Sequence, residues 1–167
     1  LYAGKLAFDT VKGFQVVTVV GLAPLIITAN KDFPPNDIKE LIAYAKANPG
    51  VNYGSSGIGA AAHLTTELLK QTAGIEMNHI PYKGTAPATQ GLLSGEIKIL
   101  IDTPSSMMPH VRAGKIKGLA VTASKRVVGS TEVPTIVEAG GPQLDSSTWV
   151  LFLAPPGTPA DIIDRVA

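Results

Sequence analysis

The chain has 167 residues, 45% of them hydrophobic and 16% charged, with a formal net charge of +1. That length suffices for one ordinary domain or two small lobes, and the composition excludes both a disordered chain and a strongly basic surface for nucleic acid. With no cysteine in the chain, disulfides, thiolate metal sites and a cysteine nucleophile are excluded.

No charged-then-apolar leader precedes Leu1, so the start is expected to be a processed or truncated end. Residues 14–30 are rich in β-branched side chains and punctuated by Gly21 and Pro24, which predicts two strands joined by a bend. Thr18, Gly21 and Pro24 also break the apolar run from Val16 to Ile27 well short of the roughly 20 residues a membrane helix needs, so no membrane insertion is expected. Ile38, Leu41, Ile42 and Ala45 follow the spacing of one helix face, with Pro34-Pro35 before it and Pro49-Gly50 ending it.

From there strands and helices alternate. VNYG predicts a strand, 59–72 a helix, EMNHI a strand and 86–93 a helix; IKILI follows as a strand, 105–113 as a helix and KGLAVTA as a strand. That rhythm implies right-handed βαβ units and an α/β fold with a mainly parallel sheet flanked by helices. Residues 124–148, with Gly140-Gly141-Pro142 near their centre, read as a connection. WVLFLAP predicts a strand, and Thr158 as N-cap, Pro159 at the first helical position and Asp161 completing a capping box predict a last helix.

Tyr53 to Leu64, YGSSGIGAAAHL, places two serines and three glycines at a strand-to-helix turn. Glycine permits unusual dihedrals and close approach, and a helix N-terminus offers unpaired N–H groups, so Ser55 and Ser56 with the amides around Gly57, Ile58, Gly59 and Ala60 are candidate contacts for an anion. The bland alternative is a tight βα turn built of small residues for packing. In parallel sheets ligands gather outside the carboxyl ends of strands, where this turn lies. Gly57-Ile58-Gly59-Ala60-Ala61-Ala62 also fits the dinucleotide fingerprint, but the acidic residue expected at the end of the next strand is absent there, since Glu76 stands at its beginning. The lysine of a phosphate-binding P-loop and the second glycine of a hydrolase elbow are missing too, so no catalytic residue is assigned. His63, His79 and His110 lack metal-ligand spacing, and His63, early in its helix, reads as a packed or capping residue.

The next loop, IPYKGTAPA, offers Tyr82, Lys83 and Thr85 around Gly84, and the third begins with Asp102-Thr103-Pro104 and Ser105-Ser106. Hydroxyls or charges at three successive strand ends fit one polar cleft better than three unrelated turns.

These stretches resemble the periplasmic substrate-binding receptors of tripartite tricarboxylate transporters, the TctC or Bug type. The resemblance rests on NYGSSGIGAAAHL, HIPYKGTAPA, LLSGEIKILID, AGKIKGLAVTASKR, VPTIVEAGGP and WVLFLAPPGTP, in that order along nearly the whole chain. It implies a two-lobed, type II periplasmic-binding fold that closes on a small carboxylate, without catalysis, cofactor or metal. It also implies membrane transporter subunits as partners and a periplasmic location. The family's G-S-x-G-x-G turn maps onto Gly54 to Gly59, its P-Y-K-G segment onto Pro81 to Gly84, and its strand-end acid onto Asp102. Where the family has serine this chain has Ala60, so one hydroxyl donor is absent. By the same resemblance, residues 1–27 are a remnant of the first lobe and the crossover, 28–123 the second lobe, and 124–167 a connection returning toward the first. The second lobe is then largely complete in a chain that is part of a longer receptor. Two rivals stand beside this reading: a dinucleotide-dependent enzyme using the Gly57-x-Gly59 turn, and an interaction module with a vestigial site.

Overall fold

The structure is a computed structural model that describes residues 6–10 and 12–167. Residues 1–5 and 11 lie outside the described residues, and with them part of the expected first-lobe segment 1–27.

The elements follow the predicted order: β1 (Gln15–Pro24), β2 (Ile26–Asn30), α1 (Ile38–Ala47), β3 (Val51–Ser55), α2 (Ala61–Ala73), β4 (Met77–Pro81), α3 (Thr85–Ser94), β5 (Ile99–Asp102), α4 (Pro104–Arg112), β6 (Ile116–Val121), β7 (Ser147–Ala154) and α5 (Ala160–Val166). Helix α1 starts where the sequence says it should. Asp37 is the N-cap and its Oδ1 accepts from the Glu40 amide at 2.7 Å, while Glu40 reaches back to the Asn36 amide at 2.8 Å. The last helix differs from expectation. Its N-cap is Pro159, and the Thr158 hydroxyl turns away to donate to the Pro155 carbonyl at 2.8 Å, so the predicted capping box does not form. Among the described residues no helix is long and apolar enough to cross a membrane, and no group of three or more His, Asp or Glu is placed to hold a metal ion.

The chain divides into two compact units. The larger, Ala23–Thr148, is built on a five-stranded sheet of order β4-β3-β5-β2-β6. Strands β4, β3 and β5 pair in parallel, as the alternation of strands and helices predicts; β2 runs antiparallel to both β5 and β6. All five residues of β2 are buried, the polar Thr28 and Asn30 among them, so its sequence shows no alternation of buried and exposed positions and carries no signal of direction. Apolar side chains fill both faces: Ile27, Leu41, Tyr53, Leu69 and Ile101 on one side, Ile26, Leu92, Leu100, Met107 and Val121 on the other. The segment 124–146 has no regular helix or strand, yet it belongs to this unit. Val133, Ile136 and Leu144 are buried, Thr135 bridges to Val121, and the Thr122 hydroxyl donates to the Ser146 carbonyl at 2.7 Å.

The smaller unit comprises the described residues of 1–22 with 149–167. Strands β1 and β7 form a two-stranded sheet, Phe8 packs edge-on against Phe14, and none of this unit's described residues is buried.

Candidate functional site

Because β3, β4 and β5 are parallel neighbours, the three turns that follow them lie along one edge of the sheet. Backbone and side-chain bonds tie them together. The Tyr82 amide donates to the Ser55 carbonyl at 3.0 Å and the Gly84 amide to the Ser56 carbonyl at 3.1 Å, which fixes the Pro81–Gly84 loop against the glycine-rich turn. The Thr85 hydroxyl donates to Asp102 Oδ2 at 2.8 Å, joining the start of α3 to the end of β5, and Asp102 Oδ1 accepts from the Thr103 amide at 2.7 Å. The Thr103 hydroxyl lies 3.1 Å from those of both Ser105 and Ser106. Helices α2, α3 and α4 all begin on this edge, so their positive dipole ends face the same side.

The glycine-rich turn holds its shape with its own groups. Gly59 has φ 82°, a left-handed conformation that other residues adopt only with strain. Ser55 is fully buried, its hydroxyl 3.0 Å from the Gly57 carbonyl, 3.2 Å from the Gly57 amide and 2.7 Å from His79 Nε2. The Ala60 amide donates to the Gly57 carbonyl at 3.2 Å, and the Gly59 amide to His63 Nδ1 at 3.1 Å. His63 thus caps the turn, one of the two roles its sequence position suggests. Since α2 starts at Ala61, the amides of Ala61, Ala62 and His63 are the ones with no carbonyl a turn behind them in the helix. The donors at the start of the helix therefore sit two to four residues beyond Gly59, and Ser55 serves the turn from within. Ser56 is half-buried and Ile58 half-exposed on the outer side.

Of the second loop, Lys83 is exposed at the rim and Gly84 is the N-cap of α3. Tyr82 points inward. A Cβ added at Gly91 would meet its hydroxyl at 2.3 Å, so that glycine is required by the close approach of this side chain, while one added at Gly54 would meet Ile97 Cδ1 at 2.3 Å and the Tyr82 ring at 3.2 Å. The Tyr82 hydroxyl is buried, and that burial, with the Glu96 carboxylate beside it, holds its pKa above the ordinary phenol range. Asp102 is buried with both oxygens engaged, a fixed acceptor between the second and third loops.

A charged and aromatic group missing from the sequence reading lies behind the turn. The Tyr53 and His79 rings stack at 4.9 Å, and His63 stacks on His79 at 4.2 Å. Tyr53 donates to Glu67 Oε1 at 2.5 Å, and Glu67 pairs with Lys70 at 2.8 Å. Burial raises the Tyr53 pKa far above that of a free phenol, helped by the Glu67 carboxylate. Burial pushes the Glu67 carboxyl upward, but hydrogen bonds from Lys70 and Tyr53 and the lysine charge outweigh it and hold the group below the ordinary value. His79 is held below the ordinary imidazole value, first by burial and then by His63. The pairing of Tyr53 opposite His79 in the β3–β4 register was the missing signal, and register is not written in either strand alone.

A cavity of about 590 Å³ opens elsewhere, lined by Ser124, Lys125, Arg126, Glu138 and Asp145 among others; none of the predicted site residues lines it.

Helix N-termini and hydroxyls gathered at the carboxyl ends of parallel strands are the place where open sheets of this class collect ligands. The family model described as tripartite tricarboxylate transporter family receptor matches residues 1–167, and the chain belongs to that family. It is 37% identical over 160 residues to the protein BugT of Bordetella pertussis, a match covering 95% of this chain and 49% of that protein. Among solved structures it is similar to R. palustris Rpa4515 with adipate, with a TM-score of 0.92 and 35% identity over 98% of this chain and 55% of that one. MatC (Rpa3494) from Rhodopseudomonas palustris with bound malate matches with a TM-score of 0.87 and 31% identity, covering 97% of this chain and 55% of that one. The chain spans about half the length of the curated relatives it matches.

Proposed function

We propose that this chain carries the anion-holding part of a periplasmic receptor that captures a small carboxylate and presents it to the membrane subunits of a tripartite transporter. The observation that carries the reading is the single edge on which α2, α3 and α4 begin, locked by the Tyr82–Ser55, Gly84–Ser56 and Thr85–Asp102 bonds. Adipate in Rpa4515 and malate in MatC support a dicarboxylate as the class of ligand. In this reading the Ser56 hydroxyl and the first amides of α2 take a carboxylate, the Gly57–Ala60 turn and Ser55 shape their approach, and Lys83 supplies charge at the rim. Tyr82 is the packing floor under the second loop. Asp102 repels a carboxylate and therefore faces a hydroxyl, an amine or a bound water of the ligand. Residues 28–123, with the flanking pieces packed on them, form the second lobe, and the remaining described residues belong to the first.

Binding without catalysis fits the site better than an enzyme. Ser55 and His79 stand at the distance of a nucleophile and its base, but the Ser55 hydroxyl is fully buried and faces the turn's own backbone. The dinucleotide alternative lacks its ribose-binding acid, since Glu76 stands at the wrong end of its strand.

The larger unit alone holds a ligand weakly. Three charge-assisted bonds of about 1.5–3 kcal/mol each total roughly 5–9 kcal/mol. Association costs at least about 4 kcal/mol in lost freedom, leaving on the order of 1–5 kcal/mol, or millimolar binding and weaker. Thermal shift of this chain beside Rpa4515, against adipate, malate, citrate, glutamate and NAD, tests the reading. The relative is expected to be stabilised by micromolar adipate, and this chain only by millimolar acids. Stabilisation of this chain by NAD would replace the receptor reading with the enzyme.

A further inference from the structure

The stacked imidazoles behind the glycine-rich turn each hold one of its glycines. His63 Nδ1 accepts directly from the Gly59 amide at 3.1 Å. His79 Nε2 meets the Ser55 hydroxyl at 2.7 Å, and that hydroxyl in turn meets the Gly57 amide at 3.2 Å and its carbonyl at 3.0 Å. The chemistry of the first bond is exacting. An amide can donate to Nδ1 only while that nitrogen is bare, so His63 carries its proton on Nε2. A proton arriving at Nδ1 turns the acceptor into a donor facing a donor, and the bond to Gly59 is lost. The second imidazole makes a doubly charged state costly, because the rings stack at 4.2 Å.

The other groups around the pair do not neutralise it freely. On α2, Glu67 is already committed to Lys70 at 2.8 Å and to the Tyr53 hydroxyl at 2.5 Å, and Lys70 sits 5.7 Å from the centre of the Tyr53 ring. On β3, Tyr53 covers the far face of His79 and Ser55 its Nε2. Glu67 favours a proton on His79 and Lys70 opposes it.

We propose that His63 and His79 are positioning residues that form a proton-sensitive latch, holding the Gly57–Ala60 turn in its ligand-accepting form only while Nδ1 of His63 carries no proton. The link to ligand rests on the receptor reading above; the latch on the turn does not. Protonation also brings positive charge nearer an anion, so the two effects on affinity oppose each other. Loss of the Gly59 anchor wins, because the donors of Ala61 to His63 are aimed by that turn.

The test uses nuclear magnetic resonance on this chain at pH 7.5 and 5.0. Exchange of the Gly59 amide, corrected for its intrinsic pH dependence, is compared with that of Lys98, whose amide donates to the Asn52 carbonyl and to neither imidazole. Gly59 is expected to lose about tenfold protection relative to Lys98 at pH 5.0, with the His63 ring in its Nε2–H tautomer at pH 7.5. In the His63→Gln/His79→Gln variant, whose amides donate and accept without titrating, the relative protection is expected not to change with pH. Unchanged relative protection in the natural chain, or an equal loss in the variant, overturns the latch. Adipate titrations of both proteins at both pH values then read the functional link, since the acid's own ionisation is common to both. The natural chain is expected to weaken about tenfold more than the variant on acidification; equal weakening overturns the link. If adipate binds neither protein while Gly59 still loses protection, the latch stands and the receptor reading fails.

Discussion

Strand β2 in the larger unit and strands β1 and β7 in the smaller are built from similar residues, yet they end in opposite environments. Ile26, Ile27 and Ala29 are wholly buried between neighbouring strands and helices, whereas Val16, Val20, Trp149 and Phe152 are each more than half exposed. The difference lies in layers and not in local preference. Five strands covered by helices bury an apolar face on both sides, while a two-stranded ribbon has too few neighbours to do so. Composition and alternation announce a strand; they do not say what covers it.

The largest effect that tests this contrast is in the larger unit. Ile101→Ala, at a fully buried position of β5, is expected to cost about 2–5 kcal/mol by denaturant unfolding. A loss below about 1 kcal/mol would mean that the sheet is not the core. Next, Tyr53→Phe removes the short bond to Glu67 and leaves Lys70 as that carboxylate's main partner; about 1–2 kcal/mol should be lost. Gly59→Ala, forced into the left-handed region, should cost about 1 kcal/mol and broaden the amide signals of the turn. No loss would show that the turn relaxes readily.

The pH dependence is smaller and has a definite sign. Because His79 titrates below its ordinary value in the folded chain, the unfolded chain binds its proton first. Stability is then fully present above about pH 6.5 and falls as the pH drops from there toward the folded value. Glu67, also held low, adds a further loss below about pH 4.5. A thermal midpoint that rose on acidification from pH 7 to 5.5 would contradict the environment described for His79. The smallest effect should come from the ribbon: Phe152→Ser, at a 55% exposed position, is expected to change stability by no more than about 0.5 kcal/mol. A core-sized loss there would erase the contrast between the two units.

How far the sequence leads can be seen residue by residue. The period of Ile38, Leu41 and Ala45 placed α1, and the strand-to-helix rhythm placed the three turns at strand ends, because both patterns are local. The direction of β2 was hidden, since a strand buried throughout has no alternation to read. Ser55 was legible as a turn residue but not as an inward one; as the last residue of β3 it falls on the buried side. His63 was legible as a cap, four residues after Gly59, whereas His79 needed the β3–β4 register to be seen beside it. Thr158 fails as a cap because the helix starts one residue later, with Pro159 as its N-cap, and the Thr158 hydroxyl is turned back to the Pro155 carbonyl.

The central claim is that one edge of the larger unit receives a carboxylate. Its most direct test is amide chemical-shift mapping of this chain during a titration with adipate to tens of millimolar. The account predicts saturable shifts concentrated at Ser56 to His63, Lys83 to Thr85 and Asp102 to Ser106. Shifts centred instead on Ser124 to Arg126 and Glu138, around the separate cavity, or the absence of any saturable shift, would contradict it.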